Sequence, residues 1–367
     1  MHPALRRIAI AAVALLTVSF VSAPAQGAVL LAGTVITNTN ATLPAELSPL
    51  ATGKKISYLT TNVNGTIITA TGLVLTPKTG KNNKIVAWGH GTTGLADQCA
   101  PSASQSVFWP EARAAIAELL RRGWTVTAPD YPGLGTPTAH PYLIGNSEAR
   151  SLIDSVKAAR KIDAALTTQY VVDGHSQGGQ GALFVNQIAN SYDSPLVLKG
   201  TAAIAPVSNA DLFAPVIPGT AAQGYLVMGL YGLQAVDSSV NPNTLLAAPA
   251  KAKTSVLQSG CLYQILDAFA PLTANELLVG GALPDAVVTK LAHYLNPGQS
   301  ATSAPVLLVQ GTADEAVPYV FTAGPLNTQL SAYSQPVTYT ELDGATHDGA
   351  VFQSTTLVAD WIAARFA

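Results

Sequence analysis

Apolar residues change their spacing along the chain near residue 80. Before that point, "ISYLTTNVNGTIITATGLVLTP" (residues 56–77) is rich in threonine, valine and isoleucine, as β-strands are. Asn64-Gly65 lies in the middle of this stretch, and that pair favours a tight hairpin turn. The pattern predicts two antiparallel strands joined at residues 64–65.

After residue 80, short continuous apolar runs alternate with longer segments of helical spacing. The predicted strands are "KIVAWGHG", "WTVTAPD", "QYVVDG" and "LVLKGTAAIAP". The helices between them are "PEARAAIAELLRRG", "NSEARSLIDSVKAARKIDAAL", with Asn146 or Ser147 as its cap, and "GGQGALFVNQIANSY". Strands alternating with helices imply right-handed crossovers, so we predict an α/β fold with a mostly parallel central sheet and helices on both faces.

The alternation stops near Ser208 and resumes near Ala304, where the runs "APVLLVQGTAD" and "PVTYTELDG" predict the last two strands and "STTLVADWIAARF" a closing helix. The intervening residues include segments with helical spacing, such as "DAVVTKLAHYL". We therefore predict a core of residues 26–207 and 304–367, with a helical cap or lid insertion at residues 208–303.

The first residues have the pattern of an export signal. Arg6 and Arg7 precede the apolar run "IAIAAVALLTVSFV", and the small residues of "APA" at residues 23–25 suit a cleavage site. We expect residues 1–25 to be a signal peptide and the protein to be secreted. The alternative is an uncleaved membrane anchor, for which the apolar run is short.

Charge and cysteine content narrow the function further. The formal net charge is −2 and only 11% of residues are charged, without a long basic run, which argues against nucleic acid as a partner. The two cysteines, Cys99 and Cys261, are most simply one disulfide in an oxidising compartment. Two free buried thiols are the alternative.

Ser176 is the candidate nucleophile. The sequence Gly174-His175-Ser176-Gln177-Gly178 matches G-x-S-x-G, and here the motif follows a predicted strand and opens a predicted helix. That context is typical of a sharp turn that holds a serine hydroxyl above a sheet, where it can attack a carbonyl. The alternative is a glycine-rich turn in which the serine has no chemical role.

A nucleophilic serine needs a base, and two histidines follow it in the chain. His293 lies in a predicted helix of the insertion, where we expect it on the surface. His347 lies in "DGATHDGA", which we interpret as a loop between the last strand and the last helix, so it can reach the sheet edge where an active site belongs. We predict His347 as the base.

The acid should follow the preceding strand, within "VLLVQGTADEAVP". We predict Asp314, which would accept a hydrogen bond from the Nδ1–H of His347 and fix the tautomer of that histidine, whereas Glu315 should face solvent. Asp343 and Asp348 are the alternative acids. The predicted triad is Ser176, Asp314 and His347.

Two backbone N–H groups should form the oxyanion hole. We expect them from Gln177, directly after the nucleophile, and from Thr92 in the glycine-rich loop "WGHGTTG", with Gly91 or Thr93 as alternative donors for that loop. The histidines at positions 90 and 175 resemble a metal pair, but the sequence shows no third ligand at useful spacing, so we assign no metal and no cofactor.

Together, "WGHGTTG", "APDYPGLG", "GHSQGG" and "GTADEAVP" resemble the secretory lipases of yeasts and actinobacteria, within the α/β-hydrolase superfamily. The resemblance extends from about Lys84 to the end of the chain. It implies a secreted serine carboxylic ester hydrolase, often a triacylglycerol lipase, with a helical lid and with Ser176, Asp314 and His347 as its triad. The family commonly has tyrosine before the nucleophile, where this chain has His175.

From these residues we expect a monomeric lipase that acts on small-molecule or lipid esters, at a lipid–water interface where the substrate is an emulsion. The apolar segment "GYLVMGLYGLQAV" (residues 224–236) would line the acyl-chain pocket or form a lid, and core packing of the insertion is the alternative. The rival functions are a carboxylesterase for short-chain or aromatic esters, a serine peptidase, and a binding protein without catalysis.

Overall fold

A nine-stranded sheet runs through the part of the chain that the computed structural model describes, residues 31–192 and 195–367. The predicted signal peptide, residues 1–25, lies outside the described residues. Within the described ranges, no helix is both long enough and apolar enough to cross a lipid bilayer.

The sheet begins with antiparallel strands and continues with parallel ones. Its spatial order is β1-β2-β3-β5-β4-β6-β7-β8-β9; β1, β2, β3 and β5 pair antiparallel, and every pairing from β5 to β9 is parallel. The strands are β1 (Val35–Ala41), β2 (Ala51–Thr61), β3 (Ile67–Pro77), β4 (Ile85–Gly89), β5 (Thr125–Pro129), β6 (Gln169–His175), β7 (Val197–Ile204), β8 (Val306–Gly311) and β9 (Val337–Leu342).

Helices connect the parallel strands and fill the long segment between β7 and β8. They are α1 (Pro110–Arg121), α2 (Gly145–Ile162), α3 (Gln177–Tyr192), α4 (Ala210–Phe213), α5 (Gln223–Gln234), α6 (Pro242–Leu245), α7 (Ala248–Lys251), α8 (Val256–Ser259), α9 (Leu262–Phe269), α10 (Ala274–Leu277), α11 (Asp285–Leu295), α12 (Ala323–Ser331) and α13 (His347–Phe366). Four single turns of 3₁₀-helix lie at Asp97–Cys99, Gln105–Val107, Ala214–Val216 and Val279–Gly281.

The predicted hairpin is confirmed as β2 and β3. The backbone N–H of Asn62 donates to the carbonyl of Thr66 across the turn (2.9 Å), and the Asn62 side-chain oxygen accepts from the N–H groups of Asn64 and Thr66. Gly65 has φ of 82°, a left-handed conformation that glycine adopts without steric cost. The tight turn predicted at Asn64-Gly65 is therefore the turn that joins the two strands.

The mostly parallel sheet with helices on both faces is also confirmed. Successive residues of β6 point to opposite faces, so Val171 belongs to a core with α1 and α13, and Val172 to a core with α2 and α3. Both valines are fully buried, as the continuous apolar runs predicted.

The start of α2 differs from the prediction. Ile144 is the N-cap residue, and neither Asn146 nor Ser147 caps the helix with its side chain. Instead, the carboxylate of Glu148 accepts from the backbone N–H of Leu143 at 3.1 Å, and Ser147 is buried. A buried acid therefore takes the place of the expected surface cap. The sequence pattern also missed β1, a mostly exposed edge strand, and the short helix α12.

The segment between β7 and β8, all of it described, folds as helices α4–α11. Their apolar side chains form a core of their own, which also takes in Tyr142 and Val317 from loops of the sheet. Most of the apolar segment at residues 224–236 belongs to this core, including Leu226, Met228 and Leu230. Core packing, one of the two alternatives for that segment, describes most of its residues; Tyr225 is discussed below.

Cys99 and Cys261 form a disulfide, with their Cα atoms 5.6 Å apart and 162 positions apart in the chain. The bridge joins the loop after β4 to the start of α9. Two hydrogen bonds lie beside it: Leu262 N–H donates to the Thr93 carbonyl (2.8 Å), and the Gln98 side chain donates to the Gln258 carbonyl (3.0 Å). The helical segment is therefore held directly to the loop that contains Thr92.

We predict that replacing both cysteines by alanine lowers the free energy of unfolding by up to about 5 kcal/mol, since the bridge closes a long loop in the unfolded chain. Guanidinium denaturation of the two proteins, each with and without dithiothreitol, measures this. Reductant should lower the midpoint of the wild type and leave that of the variant unchanged. Equal midpoints for both oxidised proteins would contradict the prediction.

Asp173 is a buried acid in the middle of β6, three residues before Ser176. It is 1% exposed, and its Oδ1 atom has no hydrogen-bond partner among the described residues. Burial raises its pKa from 3.8 to about 8, so the folded protein holds it as the neutral acid at neutral pH. Between these two pH values, Asp173 is ionised in the unfolded chain and protonated in the folded one, so folding takes up a proton. The contribution of Asp173 to the free energy of unfolding therefore falls as pH rises through this range.

We predict that Asp173→Asn changes the pH dependence of stability. Asparagine stays neutral, so the variant should not lose stability as the wild type does between pH 4 and pH 8. The difference in melting temperature, variant minus wild type, should therefore increase by a few degrees over this range and stay constant above pH 8. Thermal melts in matched buffers across this range test the slope. A difference that does not vary with pH would show that Asp173 is ionised in the folded state.

Candidate active site

Ser176 stands at the sharp turn between β6 and α3. It is a non-glycine residue with φ of 58°, a strained left-handed conformation, and its backbone N–H is held by the carbonyl of Ile204 (2.9 Å). A Cβ atom on Gly174 would lie 2.2 Å from the carbonyl oxygen of Gly178, and one on Gly178 would lie 2.0 Å from that of Gly89. The two motif glycines are therefore needed because β6, α3 and β4 touch through their backbones.

His347 and Asp314 are hydrogen-bonded to each other. The Nδ1–H of His347 donates to Oδ2 of Asp314 at 2.7 Å. Oδ2 also accepts from the Gln310 side chain (2.9 Å), while Oδ1 accepts from the backbone N–H groups of Ala316 (3.0 Å) and Val317 (2.8 Å). The Asp314 side chain is fully buried, so these bonds fix the carboxylate and, through it, the imidazole.

His347 lies on the same side of the sheet as Ser176, and both residues line one cavity of about 180 Å³. His347 was expected in a loop, but it is the first residue of α13, whose N-cap Thr346 accepts from Gly349 N–H. The structure therefore places His347 at a helix start rather than in open loop.

The alternative acids and the other downstream histidine do not make the contact with His347 Nδ1 that Asp314 makes. His293 is exposed on α11, and Glu315 is exposed beside Asp314. Asp343 is exposed and accepts a hydrogen bond from Thr312 (3.3 Å), while Asp348 is exposed and follows His347 directly. Asp314 is thus the acid that contacts the imidazole Nδ1 in this structure.

The two predicted oxyanion residues both adjoin Ser176. Gln177 is the first residue of α3, where backbone N–H groups have no partner within the helix. Thr92 lines the cavity with Ser176 and is held at two points: its hydroxyl lies 2.7 Å from the Tyr142 hydroxyl, and its carbonyl accepts from the Trp109 indole (3.0 Å).

The environment of Gln177 includes a buried acid that the sequence did not point to. The Gln177 amide donates to the carboxylate of Glu148 at 2.8 Å, and Glu148 is fully buried. Burial raises the pKa of Glu148 to about 8, with the Gln177 and Leu143 hydrogen bonds acting in the other direction. This acid packs beneath the first turn of α3 and supports the residue after the nucleophile.

His90 and His175 contact different backbone carbonyls. His90 contacts the carbonyl of Gly91 (2.7 Å), whereas the Nε2–H of His175 donates to the carbonyl of His347 at 3.2 Å. Burial lowers the pKa of His175 well below its ordinary value, which keeps its ring neutral. Among the described residues, His175, His347 and Asp348 could present one ligand atom each within 4.8 Å, a juxtaposition that the sequence spacing concealed.

A mostly apolar cavity of about 270 Å³ opens on one side of Ser176. Its walls come from the start of the helical segment and from the loop after β8. The lining residues include Leu143, Val207, Phe213, Val216, Ile217, Ala221, Ala222, Tyr225, Val317, Pro318 and Phe321. From the segment at residues 224–236 this wall takes Tyr225, and its other apolar side chains come from residues 207–222, from Leu143 and from the loop after β8.

A more polar cavity opens on another side, the one of about 180 Å³ that contains His347. Glu111, Asp348, Trp109 and Tyr263 line it together with Tyr225. Burial, followed by the charge of Asp348, raises the pKa of Glu111 to about 7. Sequence reasoning missed Glu111 and Trp109 because they stand at the start of an ordinary surface-type helix, without any motif around them.

The chain has clear relatives. A model of the secretory lipase family matches residues 111–367, more than half of the chain. The chain is 26% identical over 266 residues to the secreted triacylglycerol lipase LIP4 of Malassezia globosa and 25% identical over 268 residues to LIP2 of the same organism. Each match covers 67% of this chain and 57% of the relative, so the chain spans less than two thirds of the length of these relatives.

Solved structures share the fold. Lipase A of Candida antarctica in its closed state superposes with a TM-score of 0.77 at 19% identity, over 92% of this chain and 83% of that one. The rice cell wall degrading esterase LipA of Xanthomonas oryzae gives a TM-score of 0.71 at 22% identity, over 90% and 96%. The architecture is the α/β-hydrolase fold. Because the family model matches more than half of the chain, residues 111–367, the chain belongs to the secretory lipase family.

Proposed function

We propose that the protein is a secreted serine ester hydrolase, a lipase that cleaves acylglycerol esters through Ser176, His347 and Asp314. The observation that carries the proposal is the 2.7 Å hydrogen bond from His347 to a buried, fixed Asp314, with Ser176 on the same cavity at a strained turn. Membership of the secretory lipase family supports the same reaction class.

The mechanism follows from the roles of these groups. His347 removes the proton from the Ser176 hydroxyl as its oxygen attacks the ester carbonyl, and Asp314 stabilises the imidazolium that forms. The backbone N–H groups of Gln177 and Thr92 stabilise the oxyanion, and each such donor lowers the barrier by roughly 3 kcal/mol. His347 then protonates the departing alcohol. Water attacks the acyl-enzyme in the same way and releases the carboxylic acid, without any cofactor.

The 270 Å³ cavity suits the acyl chain because its walls are mostly apolar. Exposed apolar side chains also lie next to its lining residues: Leu212 and Val216 on one side, and Tyr319 and Val320 on the other. Such side chains favour contact with an aggregated lipid over a dissolved ester. This favours a lipase over the alternative, a carboxylesterase for short-chain or aromatic esters.

Two further features support secretion. The export pattern at residues 1–25 and the disulfide between Cys99 and Cys261 fit an oxidising compartment. The names of the Malassezia relatives describe secreted lipases.

We predict that Ser176→Ala lowers kcat/KM for an ester by about 10⁴-fold or more, and that Asp314→Asn lowers it by about 10⁴-fold, because the imidazole loses its tautomer-fixing partner. Hydrolysis of p-nitrophenyl butyrate, with circular dichroism to check the fold, measures both. The matched controls are His293→Ala and Asp343→Asn, which should keep wild-type rates. Activity retained in Ser176→Ala would overturn the mechanism.

We predict that the wild type hydrolyses a series of p-nitrophenyl esters from acetate to stearate and retains activity on the long chains. Ala221→Phe narrows the 270 Å³ cavity and should lower the ratio of long-chain to acetate activity by about tenfold, since each methylene in an apolar pocket contributes measurably to discrimination. Loss of activity beyond butyrate in the wild type would favour the carboxylesterase instead. An unchanged ratio in the variant would remove the acyl assignment of this cavity.

A further inference from the structure

The active site opens into two cavities of different chemistry. Ser176, Thr92, Tyr225 and Ala316 line both of them, so a reacting carbonyl lies at their junction. If the acyl chain enters the apolar cavity, the alcohol part of the ester is directed to the other one, beside His347. Proton transfer to the leaving alcohol requires that same placement, since His347 delivers the proton.

The leaving-group cavity, as we name the one lined by Glu111, Asp348, Trp109 and Tyr263, is acidic, and its negative charge increases above the pKa of about 7 of Glu111. Two carboxylates line it, and among its described lining residues there is neither lysine nor arginine. Glu111 is only 5% exposed, and its carboxyl interacts with Asp348 strongly enough that the Asp348 charge is the second cause of its raised pKa. His347 and Arg113 act on Glu111 in the opposite direction and more weakly.

Aromatic rings complete the same cavity. The rings of Trp109 and Tyr263 lie 5.3 Å apart in an edge-on arrangement, and Tyr225 lies between the two cavities. The indole N–H of Trp109 is fixed by the Thr92 carbonyl, while the Tyr263 side chain is 56% exposed at the opening. Aromatic faces beside carboxylates attract organic cations, because the ring quadrupole and the negative charges act in the same sense.

We propose that the leaving-group cavity selects esters whose alcohol carries an alkylammonium group over esters with a neutral alcohol of the same shape, and rejects esters with an anionic alcohol. This inference rests on the proposed ester hydrolase function and adds to it a preference on the alcohol side. Glu111 and Asp348 act as specificity-determining residues through their charge, and Trp109 and Tyr263 through their rings.

The test compares three butyrate esters that share one acyl group: those of choline, of 3,3-dimethylbutanol as its uncharged isostere, and of 2-hydroxyethanesulfonate. The measured quantity is the ratio of kcat/KM for the choline ester to kcat/KM for the neutral isostere, in the wild type and in each variant. Comparing this ratio between proteins cancels the different chemical reactivity of the two esters.

We predict that, at about pH 8, where Glu111 with its pKa of about 7 is mostly ionised, Glu111→Gln and Asp348→Asn each lower this ratio by about fivefold. This is the effect of one elementary charge at contact distance in water-like surroundings. Both changes should raise the relative rate of the sulfonate ester. Asp343→Asn, which removes an exposed carboxylate outside both cavities, is the matched control and should leave the ratios unchanged.

Two results would overturn the proposal. One is a ratio that Glu111→Gln and Asp348→Asn leave at the wild-type value. The other is that Glu111→Gln and Asp348→Asn lower the activity on glyceryl monobutyrate as much as the activity on the choline ester. That result would show that the carboxylates bind hydroxyl groups rather than a cation.

Failure of the proposed function has a different signature. In that case the neutral ester is not hydrolysed by the wild type at all. Calorimetric binding of choline, the free alcohol, to the Ser176→Ala protein then decides the present inference. Binding that weakens with an added Glu111→Gln change supports it, and absence of binding overturns it.

Discussion

The close approach of three backbone segments at residues 89, 174 and 178 is the constraint on which the rest of the site depends. β4, β6 and the first turn of α3 meet there with no space for a side-chain carbon, and Ser176 accepts a strained conformation as a result. Because these elements are buried and closely packed, the backbone of Ser176 is held at a defined place above the sheet. His347, Gln177 and Thr92 then lie around Ser176.

The other two residues of the proposed triad are positioned by buried polar contacts rather than by backbone packing. Asp314 is fixed by Gln310 and by two peptide N–H groups, and His347 is oriented in turn by Asp314. Beneath the opposite side of the turn, Glu148 contacts Gln177, while Asp173 remains a neutral acid in the core. Two carboxyl groups near the turn, Glu148 and Asp173, therefore have pKa values that burial raises, which a sequence pattern does not reveal.

What the sequence predicted well depends on local pattern or on chain order. Asn64-Gly65 lies in a turn that local hydrogen bonds to Asn62 close, and Ser176 lies in a motif whose flanking strand and helix are visible in the hydrophobic spacing. Glu111 and Trp109 could not be found in this way, because only the folding of α1 against the loop after β4 brings them to His347. The hydrophobic pattern predicted residues 224–236 as the lining of the apolar cavity, but the cavity takes Tyr225 from that segment and most of the segment packs in a core. High hydrophobicity there indicates burial in a core rather than contact with a ligand.

The disulfide between Cys99 and Cys261 limits how substrate can enter. It anchors the middle of the helical segment next to Thr92 and Thr93. The whole segment therefore cannot move outward as a rigid body without displacing the loop that contains these two residues. The stretch before α5, where Phe213, Val216 and Ile217 line the apolar cavity, has no such covalent link. The bridge therefore divides the helical segment into a part that is tied to the loop after β4 and a part beside the apolar cavity that is not.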